Sequence, residues 1–370
     1  MQIGVPKENY PGELRAALIP NDVKKLTGLG ASVLIESGLG DGIRVSDSEY
    51  EKAGAVVTKD RNAVLQSDMV LRLRKPEDVD VALLKPGAIH VSYLDPFNEK
   101  ALLNSLAERG VTAISMELIP RSTRAQKMDS LSSQASLAGY AAVILAAERT
   151  DRVFPMMTTP AGTISPSRVF IIGAGVAGLQ AIATAKRLGA RVDAFDTRPV
   201  VAEQVKSLGA RFVEVDLGET GQTKDGYAKA LTEEQLQKQR EVMAKQCAMS
   251  DIVVTTAQVF GRKAPVIITK EMVAGMRPGS ILVDLAVESG GNVEGAELGK
   301  EVDVNGVKIL GLANLPGRVA VHASQMYSAN LYNLTDEFWD KENKQFRVDM
   351  EDDILQSCVV THAGKVLREF

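Results

Sequence analysis

The 370-residue chain contains little histidine, cysteine or tryptophan: three, two and one residues, respectively. Two cysteines cannot build a disulfide framework, which favours a reducing compartment such as the cytoplasm. The 43 basic residues nearly balance the 47 acidic ones, so the basic surface of a nucleic-acid-binding protein is missing and no nucleic-acid partner is expected. No continuous run of about 18 apolar residues is evident, so we predict no direct membrane insertion.

The length exceeds that of one typical domain, and 45% hydrophobic with 24% charged residues is a globular composition. Runs rich in Val and Ile alternate with helical stretches, which is typical of βα units around parallel sheets. This pattern predicts an α/β fold with two doubly wound Rossmann-like domains, separated by a cleft and joined by long helices. The predicted strands are 2–6, 31–36, 68–72, 88–93, 111–116, 168–172, 191–195, 252–255, 280–284 and 307–310.

The expected domain boundaries follow from one long segment and one linker. Residues 130–150 are rich in Ala, Ser and Gly and predict a bridging helix against which other backbone can pack closely, and 155–166 read as a Pro/Thr/Gly-rich linker. We assign 1–129 together with about 325–370 to the N-terminal domain. The tail is expected to return to this domain, because a bridging helix needs a second bridge to close the cleft between the domains. Residues 151–324 form the second domain in this prediction.

A glycine-rich segment, GAGVAG at 173–178, directly follows an apolar strand and opens a helical run. In a dinucleotide-binding turn the first glycine permits the tight turn, the second lets backbone approach the pyrophosphate, and the third lets helix pack on strand. The amides at the helix N-terminus favour phosphate. The candidate phosphate-binding residues are Gly173, Gly175, Val176, Ala177 and Gly178.

An acidic residue lies at the position where a dinucleotide-binding domain binds the adenosine ribose. Asp196 ends the next strand, about 20 residues after the glycines, and can accept bonds from both ribose hydroxyls. It would repel a 2′-phosphate, so this position favours NAD(H) over NADP(H). Arg198 is a counter-signal, since an arginine can hold a 2′-phosphate. Asp196, Thr197 and Arg198 are therefore candidate NAD(H)-binding residues, and no metal site is predicted.

Several stretches together carry a family resemblance. They are 3–17 (IGVPKENYPGELRAA), 121–134 (RSTRAQKMDSLSSQ), 225–229 (DGYAK), 284–292 (DLAVESGGN) and 315–318 (LPGR). With the glycine segment, they make the chain resemble, from end to end, the NAD(H)-binding component of proton-translocating NAD(P) transhydrogenases, which are relatives of alanine dehydrogenase. The RxxxxQxxD pattern within 121–129 is the specific mark, because alanine dehydrogenase shares the glycine segment and the GGN stretch.

The resemblance implies a Re/Si-specific transhydrogenase component that exchanges hydride between its NADH and NADP⁺ on a partner, coupled to proton translocation. It implies that Arg121, Gln126, Asp129 and Ser132 hold the dihydronicotinamide and act in hydride transfer. Arginine is a donor and aspartate an acceptor for a carboxamide, and glutamine is both. Such a site can lack titratable groups, because hydride exchange needs only aligned rings and excluded water.

Two further segments carry candidate contacts to NAD(H). Residues 218–227 are polar and glycine-rich and read as a mobile lid, and the resemblance implies that Tyr227, with Gly226 beside it, closes on bound nucleotide. Ala257 and Gln258 follow a strand at the carboxyl edge of the second sheet, where ligands of open α/β sheets bind. The chain departs there from the family's aliphatic residue followed by Pro-Gly-Lys.

The resemblance also implies an assembly. Members form homodimers and work with an NADP(H)-binding beta subunit and a proton-conducting membrane domain. Because the chain ends at Phe370 without membrane helices, we expect the membrane subunit to be a separate chain. The expected location is the cytoplasm, with peripheral attachment to the cytoplasmic membrane through these partners.

Two alternatives stay open: an alanine dehydrogenase-like amino-acid dehydrogenase, and a non-catalytic NAD-sensing module. The first needs titratable groups. Relatives of that kind carry a lysine where this chain has Arg74, although Lys75 follows, and a histidine where it has Asp95. His90 lies inside an apolar strand and is interpreted as structural.

Overall fold

The computed structural model describes residues 1–215, 232–258 and 261–370. The chain forms two compact units, which we call unit 1 (Met1–Gln134 with Val319–Phe370) and unit 2 (Ala135–Arg318). Each unit is built around its own largely parallel sheet flanked by helices. The predicted α/β class with Rossmann-like sheets is therefore confirmed.

The strands are mostly three to five residues long, and each predicted strand is present. In chain order they are β1 (Gln2–Val5), β2 (Ser32–Glu36), β3 (Val56–Thr58), β4 (Met69–Leu71), β5 (Ile89–Ser92), β6 (Thr112–Ser115), β7 (Met157–Thr159), β8 (Gly162–Ile164), β9 (Arg168–Ile172), β10 (Arg191–Phe195), β11 (Arg211–Phe212), β12 (Ile252–Thr255), β13 (Ile281–Asp284), β14 (Lys300–Val304), β15 (Val307–Gly311), β16 (Trp339–Asp340), β17 (Gln345–Phe346), β18 (Val359–His362) and β19 (Lys365–Val366).

Some helices begin at side-chain caps, such as the Ser46–Glu49 capping box and Asp60, whose side chain accepts two backbone amides. In chain order they are α1 (Pro20–Gly28), α2 (Asp47–Lys52), α3 (Arg61–Leu65), α4 (Asp78–Leu83), α5 (Lys100–Glu108), α6 (Ser130–Arg149), α7 (Val176–Arg187), α8 (Ala202–Ser207), α9 (Glu233–Met249), α10 (Lys270–Ala274), α11 (Ala320–Glu337) and α12 (Asp353–Cys358).

The sheet of unit 1 has the order β3-β2-β1-β4-β5-β6, continued by β18 and β19. The first six strands are parallel, and β18 from the C-terminal segment adds antiparallel to β6. This is the 3-2-1-4-5-6 order of a doubly wound fold, in which both faces of the sheet are covered. Ile3, Val5, Met69 and Leu71 are accordingly fully buried.

The sheet of unit 2 repeats this order with β11-β10-β9-β12-β13-β15, and β14 closes one edge antiparallel to β15. The order reverses between β9 and β12, which are hydrogen-bonded neighbours. In open α/β sheets the crevice outside the carboxyl ends of strands at this switch point binds ligands. The residues that follow Ile172 and Thr255 are therefore the expected ligand-binding positions of unit 2.

Two segments differ from the sequence-based expectation. The predicted linker forms an exposed hairpin, β7–β8, closed by a turn at 160–161, because its threonines favour extended backbone. By length and composition α6 is apolar enough to cross a membrane, although serines interrupt its apolar residues and leave no continuous apolar run. Core helices share this property, and Ala142 and Ala146 are buried in unit 2.

His90 of β5 is structural, as interpreted from the sequence. It is fully buried, and its Nε2 lies 3.0 Å from Ser92 Oγ. Burial, and then the nearby positive charge of Arg72, lower the pKa of His90 to about 3. A buried imidazole that resists protonation does not provide an acid–base group at neutral pH.

The lowered pKa of His90 predicts acid sensitivity. Between pH 7 and pH 5 the unfolded chain gains a proton on this histidine and the folded chain does not, so the free energy of unfolding falls by about 2 kcal/mol from this group. Between pH 7 and pH 5, the free energy of unfolding of His90→Gln, measured with urea, should fall by about 2 kcal/mol less than that of the wild type. His322→Gln, at an exposed histidine of α11, serves as control; equal pH slopes in all three proteins would contradict the prediction.

Candidate functional site

The glycine-rich turn of unit 2 lies between β9 and α7, at the switch point. Gly173 has φ 94°, which L side chains rarely adopt, and its amide donates to Phe195 O at 2.8 Å. A Cβ on Gly178 would lie 1.8 Å from Gly173 O, so helix and turn could not pack as they do. The first and third glycines are therefore required by the fold itself.

The second glycine has no such packing reason. Gly175 has φ −79° and ψ −165°, which any residue can adopt, and a Cβ added there would meet nothing within 4 Å. The space beside its backbone is open. A small residue at an open, unstrained position is what a turn needs if a ligand must approach its backbone closely. The turn thus fits a pyrophosphate group.

The start of α7 supplies the donors for such a group. Gly175 is its N-cap residue and no side-chain cap is bonded there, so the first amides, at Val176 and Ala177, keep their donor capacity. The helix runs for twelve residues, with its partial positive charge at this end. Phosphate binding at helix N-termini rests on this combination.

Helix α6 supports α7 by close backbone packing, as its Ala, Ser and Gly content predicted. A Cβ on Gly139 would lie only 2.0 Å from Ala177 O. The carbonyl of the first turn of α7 therefore rests against the α6 backbone within unit 2. This contact fixes the direction in which the amides at the start of α7 point.

Asp196 closes the turn from the end of β10. One carboxylate oxygen, Oδ2, accepts the amide of Ala174 at 2.8 Å, and the residue is 9% exposed. Arg198 also holds this carboxylate: its Nε donates to Oδ1 at 2.9 Å and its Nη2 to Oδ2 at 2.7 Å. These hydrogen bonds raise the pKa of the Arg198 guanidinium. Thr197, between the two, is partly buried.

The end of β12 forms the other side of the turn. Thr256 Oγ1 donates to Gly173 O at 3.0 Å, and Ala257 follows, bonded through its backbone N and O to the side chain of Asn292 at 3.0 and 2.8 Å. Gln258 is exposed, and its Nε2 donates to Leu285 O at 3.0 Å. The structure thus brings Ala257 beside the glycine turn and directs the Gln258 amide along the sheet edge.

Asp284 and Asn292 organise this edge, and sequence reasoning gave neither a role. Asp284 is fully buried at the end of β13 and accepts bonds from Thr255 Oγ1 and from the amides of Ala286, Asn292 and Val293. Burial raises the pKa of the Asp284 carboxyl. The signal was present in the DLAVESGGN stretch: an aspartate at the end of an apolar strand, shortly before Gly-Gly-Asn, indicates a loop whose backbone amides need an acceptor.

Two predicted contacts lie outside the described residues. Gly226 and Tyr227, with the whole predicted lid at 218–227, fall in the segment 216–231. Residues 259–260, which follow Gln258, also fall outside the described ranges.

The candidate loop of unit 1 runs from Arg121 to the start of α6. Ala125 and Met128 are buried in the core of unit 1, while Arg121 and Gln126 are exposed. The short 3₁₀ turn Gln126–Met128 therefore presents the Gln126 amide outward from a fixed backbone.

Asp129 and Ser132 form the cap of α6. Asp129 Oδ1 accepts the amide of Ser132 at 2.9 Å and its Oδ2 accepts the Ser132 hydroxyl at 2.6 Å. Asp129 is thus an N-cap carboxylate, worth about 1 kcal/mol to a helix. The sequence predicted a carboxamide acceptor here, and the structure adds a capping role that substitution by a residue without a side-chain acceptor would remove.

Helix α11 holds the candidate loop, and this support was missed. Asn330 Nδ2 donates to Lys127 O at 3.0 Å and Asn333 Nδ2 donates to the same oxygen at 3.1 Å. Asn330 also accepts the Ser133 hydroxyl at 2.7 Å. Asparagine is a poor helix former, so two of them three residues apart in a helix are a signal that could have been read.

The groups that bear on an amino-acid dehydrogenase are engaged elsewhere in unit 1. Arg74 Nε donates to the buried carboxylate of Glu13 at 2.8 Å. Lys75 forms an ion pair with Glu99 at the surface. Asp95 is exposed and its backbone amide donates to Glu117 at 2.7 Å. Lys75, the residue next to the position of the missing lysine, is thus paired with a partly buried carboxylate.

Comparison with known proteins covers nearly the whole chain. Residues 4–138 match the N-terminal domain, and 142–369 the C-terminal domain, of the family described as alanine dehydrogenase/PNT. A Rhodospirillum rubrum protein, named as the first part of an NAD(P) transhydrogenase alpha subunit, is 46% identical over 99% of this chain and 98% of its own length.

Two solved structures are similar in fold. A transhydrogenase from Sinorhizobium meliloti superposes with a TM-score of 0.90 at 44% identity, covering 99% of this chain and 100% of that one. An L-alanine dehydrogenase superposes with a TM-score of 0.83 at 25% identity, over 99% and 97% of the two chains.

Proposed function

The chain belongs to the alanine dehydrogenase/PNT family, and within it we propose the function of NAD(H)-binding component of a proton-translocating NAD(P) transhydrogenase. One observation carries the choice. The 46% identity to the Rhodospirillum rubrum transhydrogenase alpha chain extends over almost the full length of both chains. Between the two superposed structures, the identity is 44% to the transhydrogenase and 25% to the alanine dehydrogenase.

The glycine turn, the α7 N-terminus and Asp196 are the proposed holders of NAD(H). Gly175 leaves room for the pyrophosphate, and the amides of Val176 and Ala177 donate to it. Asp196 accepts the adenosine ribose hydroxyls. The fit is supported by the open space beside Gly175 and by an uncapped helix start, two features that phosphate binding uses.

The loop of unit 1 is the proposed element for hydride transfer, through Arg121, Gln126, Asp129 and Ser132. When bound, NADH supplies the hydride. The loop's task is orientation, and its construction supports that: Ala125 and Met128 anchor it in the core and α11 fixes the Lys127 carbonyl. A rigid loop bearing an exposed amide positions a ligand without a proton carrier.

The amino-acid dehydrogenase is the second candidate, and the environments of three side chains disfavour it. Proton transfers at a substrate carbon need a group that titrates near neutral pH. His90 is buried with a pKa of about 3, Lys75 pairs with Glu99 at the surface, and Arg74 pairs with Glu13.

The proposed assembly follows the family. A homodimer of this chain works with an NADP(H)-binding beta subunit and a membrane subunit, attached at the cytoplasmic side of the cytoplasmic membrane. The name of the Rhodospirillum rubrum relative, a first portion of an alpha subunit, supports an enzyme divided among chains. Proton coupling is then a property of the assembly.

One assay set tests the proposed function. The purified chain with NADH, pyruvate and ammonium should leave NADH unchanged, whereas adding an NADP(H)-binding transhydrogenase component and NADP⁺ should produce NADPH. Turnover in the first mixture would establish the dehydrogenase instead. Tight NADH binding with no turnover in either mixture would favour an NAD-sensing module.

A further inference from the structure

Arg198 occupies the oxygens of Asp196 that a nucleotide ribose needs. Besides the two side-chain bonds, the Arg198 amide donates to Asp196 Oδ1 at 2.9 Å. With the amide of Ala174 on Oδ2, each carboxylate oxygen accepts two bonds in the structure. A carboxylate oxygen offers about two lone-pair directions, so a ribose hydroxyl must displace a donor.

The guanidinium is the donor that can leave. The amides of Ala174 and Arg198 are fixed by the turn, whereas a long, flexible side chain that is only partly buried can rotate away. Ribose binding then exchanges a charge-assisted bidentate pair for two hydroxyl bonds. Ribose binding therefore loses the free energy by which the Arg198–Asp196 pair stabilises the free protein, and NAD(H) binding is weaker by that amount.

The same pair alters the local charge. A bare Asp196 carboxylate would repel a 2′-phosphate, and this repulsion is the basis for expecting NAD(H) over NADP(H). In the structure the carboxylate is neutralised by Arg198 at 2.7 Å, and a displaced guanidinium stays nearby as a phosphate partner. Both effects reduce discrimination against a 2′-phosphate.

We propose that Arg198 is a specificity-determining residue that competes with the adenosine ribose for Asp196, weakening NAD(H) binding and lowering the selectivity for NAD(H) over NADP(H). This inference rests on the proposed NAD(H) site. Arg198 thus acts against the nucleotide contact that Asp196 makes.

The chain offers a control pair that involves β10, the strand that Asp196 follows. Arg211 of β11 makes an equivalent bidentate pair with Asp193 of β10: Nε to Oδ1 at 2.8 Å and Nη2 to Oδ2 at 2.7 Å. That pair joins two neighbouring strands, β10 and β11, and both residues are outside the proposed binding set. Removing it tests for any general effect of losing an arginine–aspartate pair next to this sheet edge.

The test is fluorescence titration of the wild type, Arg198→Ala, Arg198→Lys and Arg211→Ala with NADH and with NADPH. For Arg198→Ala we expect about 3- to 10-fold tighter NADH binding, the equivalent of an ion pair of modest strength, and NADPH binding weakened by at least about 3-fold. Arg198→Lys, with one charge but no fork, should fall between. Arg211→Ala should stay within about 2-fold of wild type.

The outcomes distinguish a failure of the proposed function from a failure of the proposed competition by Arg198. If the wild type binds no NADH, the proposed function fails. If it binds NADH and Arg198→Ala binds it equally or more weakly, the competition is overturned and Arg198 is a contact of the bound nucleotide. Unchanged NADPH affinity in Arg198→Ala would overturn the effect on selectivity.

Discussion

Gly175→Ala is expected to abolish tight NADH binding while leaving the fold intact. The added methyl group meets nothing within 4 Å in the free protein and the backbone angles suit alanine. Losing a glycine N-cap opposes the stabilisation that comes from restricting the unfolded chain, so the free energy of unfolding should change by less than about 1 kcal/mol. The same methyl occupies the space through which a pyrophosphate reaches the backbone. We expect the NADH dissociation constant to rise at least about 30-fold, a loss of about 2 kcal/mol.

Gly178→Ala is the matched comparison, three residues along the same helix. Its methyl would lie 1.8 Å from Gly173 O, so overpacking should lower the free energy of unfolding by more than about 2 kcal/mol. Urea unfolding and NADH titration of both variants give the contrast. Normal NADH affinity in a folded Gly175→Ala would mean that the turn does not carry the pyrophosphate.

Gln126→Ala should slow hydride transfer by about 100-fold with NADH affinity changed less than about 3-fold. The exposed amide lies on a backbone anchored by Ala125 and Met128, so truncation removes a polar contact without disturbing the loop. Misorientation of about 1 Å at a reacting centre has consequences of this size. Rates from stopped-flow mixing with the NADP(H)-binding component, beside NADH titration, measure both quantities.

Asp129 needs two variants because it also caps α6. Asp129→Asn keeps a good capping acceptor and loses the charge, whereas Asp129→Ala loses both. If the carboxylate acts in hydride transfer, both variants are slow while only Asp129→Ala is destabilised, by about 1 kcal/mol. Rapid hydride transfer in Asp129→Asn would reduce Asp129 to its capping role.

For Gln126→Ala, a collapse of NADH affinity would contradict the prediction and would make the loop a binding element instead.

Much of the fold was predictable because it rests on local signals. Buried parallel strands such as β9 and β12 are continuous Val/Ile runs, and positive φ at Gly173 with close packing at Gly178 leaves no alternative to glycine. The hairpin β7–β8 was missed because its strands are three residues each and proline-flanked, a composition that also describes linkers.

The site was predictable in its backbone and less so in its side chains. The position of Asp196 in the candidate site follows from its distance along the chain from the glycine segment. Its pairing with Arg198 depends on the arginine rotamer, which that distance does not determine. Asn292 and Asn330 support the candidate residues from segments distant in sequence. Such long-range hydrogen bonds leave only weak traces in a single sequence, here an asparagine inside a helix or after two glycines.

The most direct test of the account follows the hydride itself. The purified chain and an NADP(H)-binding transhydrogenase component are mixed in ordinary water with NADP⁺ and NADH that carries deuterium at both C4 positions. Direct exchange between nicotinamides, without a proton carrier in this chain, predicts NADPH with one deuterium per molecule, detected by mass spectrometry. NADPH carrying hydrogen from water, or no NADPH despite bound NADH, would contradict the account.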